Sequence, residues 1–152
     1  MRRPKKSLDS TEQFQSLASD LSTMAKHLIQ DRGELWPFAA LVSADEVVSY
    51  VTLDDKNKDM DMPTYLDALL LALRKMVLEK QYTAVGVCMD ITFNAGDYEG
   101  EGLRFWMENH EGETVTLIEP YTADTLDERD YEKEILWVED DSPQIFRISI
   151  AP

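Results

Sequence analysis

Few residues in this chain have the types and spacing that chemistry requires. Asp55, Asn57 and Asp59 stand at the one, three, five spacing of a calcium-binding loop, within the stretch "DDKNKDMDMPTYL". Such a loop also needs a glycine at its sixth position and a bidentate glutamate at its twelfth. Counted from Asp55, those positions are Met60 and Leu66, and Lys56 and Lys58 dilute the charge. The stretch therefore reads as a solvated connection from a strand to a helix, with Asp61 near the positive end of that helix. His27 and His110 are the only histidines and Cys88 the only cysteine, with no HxxxH or CxxC spacing, so no zinc template exists. GxxxxGK[ST], GxSxG and a GxGxxG following a strand are all absent. This reading assigns no metal, no cofactor and no catalytic residue.

One constellation depends on strand pairing. If the glycine-containing loop over 94–102 joins two antiparallel strands, Cys88 falls opposite Glu108, Asp90 opposite Trp106 and Gly86 opposite His110. Cys88 and His110 then become diagonal neighbours roughly 7 Å apart. With Asp90 and Glu108 beside them, they would form a nucleophile, a base and carboxylates on one open sheet face. Against that, the surrounding negative charge raises a thiol pKa, the wrong direction for a reactive thiolate. A lone cysteine on a strand is usually a small buried filler. The alternative function, a small-ligand or enzyme domain, rests on these residues.

Charge points elsewhere. The chain carries 30 acidic and 15 basic residues, a net charge of −15. Arg2, Arg3, Lys5 and Lys6 open it, whereas residues 97–141 hold 16 acids against Arg104, Arg129 and Lys133. Such a field repels nucleic acid and anionic membranes and attracts basic proteins. The leading expectation is an acidic binding domain, of immunity, inhibitor or scaffold type, docking on a basic protein rather than catalysing a reaction. Glu99, Glu101, Arg104, Trp106 and Glu108 are its expected contact residues, with Trp106, on the polar face of its strand, either an aromatic anchor or a residue covered by the last strands or the 122–134 segment. A homodimer is also compatible. No apolar run approaches the roughly 20 residues that cross a bilayer. The start has a basic region but no apolar region behind it, unlike a secretory signal. One cysteine forms no intrachain disulfide, so the expected compartment is a reducing cytoplasm.

Two helices and a sheet must position these residues. Residues 1–9 read as a flexible basic arm and 10–152 as a single α+β domain. "STEQ" from Ser10 has a capping-box pattern. Phe14, Leu17, Ala18, Leu21, Met24, Ala25, Leu28 and Ile29 then recur at helical spacing up to Gly33, which predicts a helix over 11–32. "WPFAALVSADEVVSYV" predicts strands over 36–43 and 47–53 around a tight turn at "SADE". Pro63 starts a second helix over 63–80, striped by Tyr65, Leu66, Leu69, Leu70, Leu73, Met76 and Val77. "YTAVGVCMDITF", "LRFWMENH" and "ETVTLIEPY" follow as three strands, with Gly112 left-handed in a bulged turn before the third. "EILWVED" and "QIFRISI" read as two further short strands. The predicted fold is α+β: a mainly antiparallel sheet of about five to seven strands, with two long helices packed on one face.

This order of helix, two strands, helix and three strands, over about residues 10–120, is similar to that of the roadblock, longin and profilin group of small domains. The stretches "WPFAALVSADEVVSYV" and "LRFWMENHEGETVTLIEPY" also resemble small uncharacterised bacterial proteins. The resemblance implies a binding or scaffold module and carries no catalytic residue, since fold alone does not set function.

Overall fold

The computed structural model describes residues 3–53, 59–95, 98–123, 129–131, 136–138 and Ile145, with side chains over 11–53, 59–92, 100–121 and at Ile145. The first helix, α1 (Arg3–Arg32), buries Phe14, Leu17, Ala18, Leu21, Ala25 and Ile29, the stripe that its sequence spacing requires. Gly33 ends it at φ 77°, donating its N–H to the Ile29 carbonyl at 2.7 Å. At the other end the helix begins at Arg3 and takes in most of the expected flexible arm. Pro4 is tolerated in a first turn, where its missing N–H has no partner to lose, and the lysines behind it are good helix formers. Ser10 therefore lies inside the helix and does not cap it.

Strands β1 (Phe38–Ser43) and β2 (Val48–Val51) form the expected hairpin, with Ala40 opposite Tyr50 and Val42 opposite Val48. The second helix, α2 (Met62–Glu79), has Asp61 as its N-cap, accepting from the Thr64 N–H at 2.9 Å, and Pro63 in its first turn. That hydrogen bond satisfies one of the orphan donors at the helix start and holds the Asp61 pKa below its usual value. The chain then makes a meander of β3 (Tyr82–Ala95), β4 (Tyr98–Asn109) and β5 (Thr114–Ala123), followed by the short β6 (Arg129–Tyr131) and β7 (Leu136–Val138). The seven strands form one antiparallel sheet in the order β2-β1-β3-β4-β5-β6, and β7 also pairs with β5.

The helices do not share a face, contrary to the sequence-based expectation. Phe38, Ala40, Ala84, Cys88, Phe105, Met107 and Leu117 pack with the α1 stripe. The alternating residues Ala39, Leu41, Val85, Val87 and Trp106 pack with Leu69 and Leu73 of α2. Strand side chains alternate between faces, so one helix covers each side. The cause is written in "FAAL" and "AVGVC", where consecutive residues are buried and neither run has a solvent face. At Gly86 the fit to α1 is closest: an added Cβ would lie 2.7 Å from Leu21 Cδ1 and 3.1 Å from Met107 Cγ.

The pairing of β3 with β4 also differs from expectation, by an odd number of residues. Val85 lies opposite Glu108, Val87 opposite Trp106, Cys88 opposite Phe105 and Asp90 opposite Leu103. An odd shift sends every side chain to the opposite face. Here both faces are covered by helix, so apolar side chains have burial available either way. Both strands also run further than expected, so that Ala95 pairs with Tyr98 across Gly96 and Asp97. After β4, Met107 pairs with Val115 and Glu108 with Thr114. The expected offset between these strands is taken up in the turn, where Gly112 has φ 86°.

Candidate functional site

The expected sheet-face constellation is not assembled. Cys88 is fully buried on the α1 side, opposite Phe105. Burial pushes its thiol pKa well up, and the carboxylates of Asp90 and Glu119 add to that shift. His110 is exposed at the far end of β4, where its N–H donates to the Thr83 carbonyl at 3.0 Å. Thr83 is five residues from Cys88 along β3, roughly 17 Å at strand rise. Glu108 projects to the α2 face, away from both, and is wholly buried. Its Oε1 accepts the Ile145 N–H at 3.0 Å. Trp106, 5% exposed, packs on that side with Val87 and Ile145. The register explains both results: Trp106 and Glu108 share a face with Val85 and Val87, on the side of α2 and Ile145.

The expected contact set is dispersed as well. Glu101 is exposed, Arg104 is half-buried, and alternation sends them to opposite faces. The side chain of Glu99 lies outside the described residues, as do Asp55, Asn57 and most of the acids after residue 123. His27 is exposed on α1. Among the described residues no group of three or more His, Cys, Asp or Glu side chains could hold a metal ion, and no helix is long and apolar enough to cross a membrane.

What the structure does bring together is an open groove of about 640 Å³ between α1 and one end of the sheet. Its floor is apolar: Leu17 from α1, and the paired Val42 and Val48 from the β1–β2 hairpin. Along one wall run Glu12, Gln13, Ser16 and Asp20, spaced so that they follow the groove side of α1. Glu46 stands on the hairpin side, and Thr83, His110 and Glu111 close the end. Four carboxylates thus surround an apolar strip, and none of the described lining residues is Lys or Arg.

Two turns set this rim. In the first, the Ser43 N–H donates to the Val47 carbonyl, the Glu46 N–H to the Ser43 carbonyl, and the Val47 N–H to Ser43 Oγ. Closing it this way places Glu46 at φ 65°, a left-handed conformation that disfavours a residue with a Cβ. In the second, Asn109 Oδ1 accepts the N–H groups of Glu111 and Glu113 at 3.1 and 3.0 Å. Its Nδ2 donates to Glu113 Oε1 at 2.8 Å. That turn carries His110 and Glu111 to the groove's end. From β2, the Tyr50 hydroxyl donates to the Asp20 carbonyl at 3.4 Å. Partial burial, with the Asp20 charge second, raises the Tyr50 pKa.

Further along, α1 is pinned to the sheet. Glu119, nearly buried on β5, accepts from Ser22 Oγ and Lys26 Nζ, both at 2.7 Å. The Tyr121 hydroxyl donates to Asp90 in the same region. These bonds fix how the helix lies over the strands, and hence the width of the groove. Sequence spacing flags none of the rim, because Glu12, Glu46 and Glu111 sit on three separate elements; only the polar side of α1 from Glu12 to Asp20 leaves a local trace.

Fold and groove together define an α+β domain with a two-sided core and an acid-rimmed cleft at one corner. No family model, no curated protein and no solved structure matches the chain.

Proposed function

We propose that the domain binds a basic protein segment in the groove between α1 and the β1–β2 hairpin. The observation that carries the reading is the groove's make-up, an apolar floor of Leu17, Val42 and Val48 beneath the carboxylates of Glu12, Asp20, Glu46 and Glu111. Lys and Arg side chains match that combination, because their stems are apolar and their heads charged. The stem lies along the valines while the cation sits at the rim. A neutral apolar ligand would strip water from the rim carboxylates and return no charge to them, and an anion would be repelled. The net charge of −15 adds steering towards the same class of partner. A docking module of this kind needs no reactive group, in keeping with the buried Cys88, and that single thiol suits a reducing cytoplasm.

Fluorescence anisotropy with a labelled Lys/Arg-rich peptide tests the reading. Binding is expected at about 50 mM salt and to weaken at least about tenfold at about 500 mM, where the Debye length falls to a few ångströms. Glu12→Lys combined with Asp20→Lys should abolish it, whereas Glu101→Lys, outside the groove, should change it little. Equal affinity for the wild type and the Glu12/Asp20 variant would sink the proposal.

A further inference from the structure

The opening of the chain supplies the chemistry that the groove accepts. Arg2, Arg3, Lys5 and Lys6 precede the groove wall, and α1 begins at Arg3 with no acid in its first turn. A helix N-terminus already bears partial positive charge, so cations there oppose the macrodipole. This end of α1 is therefore electrostatically unfavourable alone and is relieved by an external negative surface. The basic end does not fill its own groove: along one continuous helix Arg3 lies about 14 Å from Glu12 and about 25 Å from Asp20 at helical rise.

We infer that the occupant of the groove is the basic N-terminal end of α1 from a second copy of this chain, giving a closed, salt-sensitive homodimer. This rests on the binding role proposed for the groove and names its partner. Two α1 helices side by side and antiparallel, with the twofold axis near Thr11, set Arg3 of one copy level with Ser19 of the other, beside Asp20. Lys5 and Lys6 fall level with Ser16 and Leu17, within the stretch of wall from Glu12 to Asp20. The twofold repeats the arrangement, so each groove receives one basic end and the assembly closes at two copies. A head-to-tail arrangement would leave a groove unfilled at one end and a basic end unplaced at the other.

Sedimentation velocity on the full chain reads the result. A dimer is expected at about 50 mM salt and a monomer at about 500 mM. Lys5→Glu with Lys6→Glu should give a monomer at low salt, and so should Glu12→Lys with Asp20→Lys. Mixing these two charge-reversed variants should restore both complementary contacts, one native and one with its signs exchanged, and so recover the dimer. A wild-type monomer at low salt, or a dimer indifferent to both variants, overturns the inference. A labelled peptide of residues 1–9 and an unrelated peptide of equal charge separate the two ideas. If the groove binds the unrelated peptide while the chain stays monomeric, only the homodimer fails; if it binds neither peptide, the groove's binding role fails too.

Discussion

At Cys88 the surroundings decide the chemistry. The thiol is enclosed, and both burial and the neighbouring Asp90 and Glu119 carboxylates favour its protonated form. A thiol-reactive probe should accordingly label the native protein at least about a hundredfold more slowly than the urea-unfolded chain, because labelling waits for opening of the core. The same raised pKa bears on alkaline stability. The unfolded thiol ionises near its ordinary value of 9.0 while the folded one stays protonated, so the folded state then binds more protons. This contribution is constant below about pH 9, and above it stability falls by up to about 1.4 kcal/mol per pH unit. Cys88→Ala should flatten that part of a melting curve followed against pH. Glu46 is the opposite kind of residue, exposed and held at positive φ. Glu46→Gly should raise stability by about 0.5–1 kcal/mol in urea titration while weakening binding of a basic peptide. Stability and binding moving in opposite directions would mark a side chain kept for its charge. Residue type alone pointed to a buried Cys88, but what covers it is not legible in the sequence, because α1 ends more than fifty residues away; nor is the strain at Glu46, which depends on how one turn closes.

Each element's existence, by contrast, is written locally. The Phe14–Ile29 stripe, the Pro63 start, the alternation in β3 to β5 and the left-handed Gly112 were all readable, because helices and strands follow periodicity and turns follow residue type. What periodicity leaves open is which covered face meets which helix. "AVGVC" alternates acceptably in either register, and only tertiary packing selects the one that puts Gly86 under α1. Gly86→Ala tests that contact directly. Its Cβ would press on Leu21 and Met107, so a loss of about 1–3 kcal/mol is expected. Adding Leu21→Ala should recover less than the full loss, since Leu21 is itself fully buried. A substitution without effect on the melting temperature would mean that α1 can lift from the sheet at little cost. The pin between Lys26 and Glu119 is a second check. With Lys26→Met, Glu119 keeps the Ser22 hydroxyl but loses its counter-ion, a cost of about 1–2 kcal/mol in urea titration.

For the whole molecule, the sheet's topology divides the chain by contact range. β3, β4 and β5 are successive in sequence and adjacent in space, whereas β1 reaches β3 only after the β2 and α2 excursion. The Ala95–Tyr98 pairing closes across two residues, but Phe38 must find Cys88 across an interval of fifty residues. Loop-closure entropy makes the meander the cheaper structure to form first. Substitutions in its centre, such as Phe105→Leu, should therefore slow folding. Substitutions at the β1–β3 seam, such as Ala40→Gly, should mainly speed unfolding, a contrast that a pair of chevron plots would display. The groove's floor belongs to the late-arriving hairpin while its end wall, at His110 and Glu111, belongs to the early meander. On that order the proposed binding corner is expected to form with the last step of folding, so that a newly made chain would have no acidic cleft to offer until its sheet is complete.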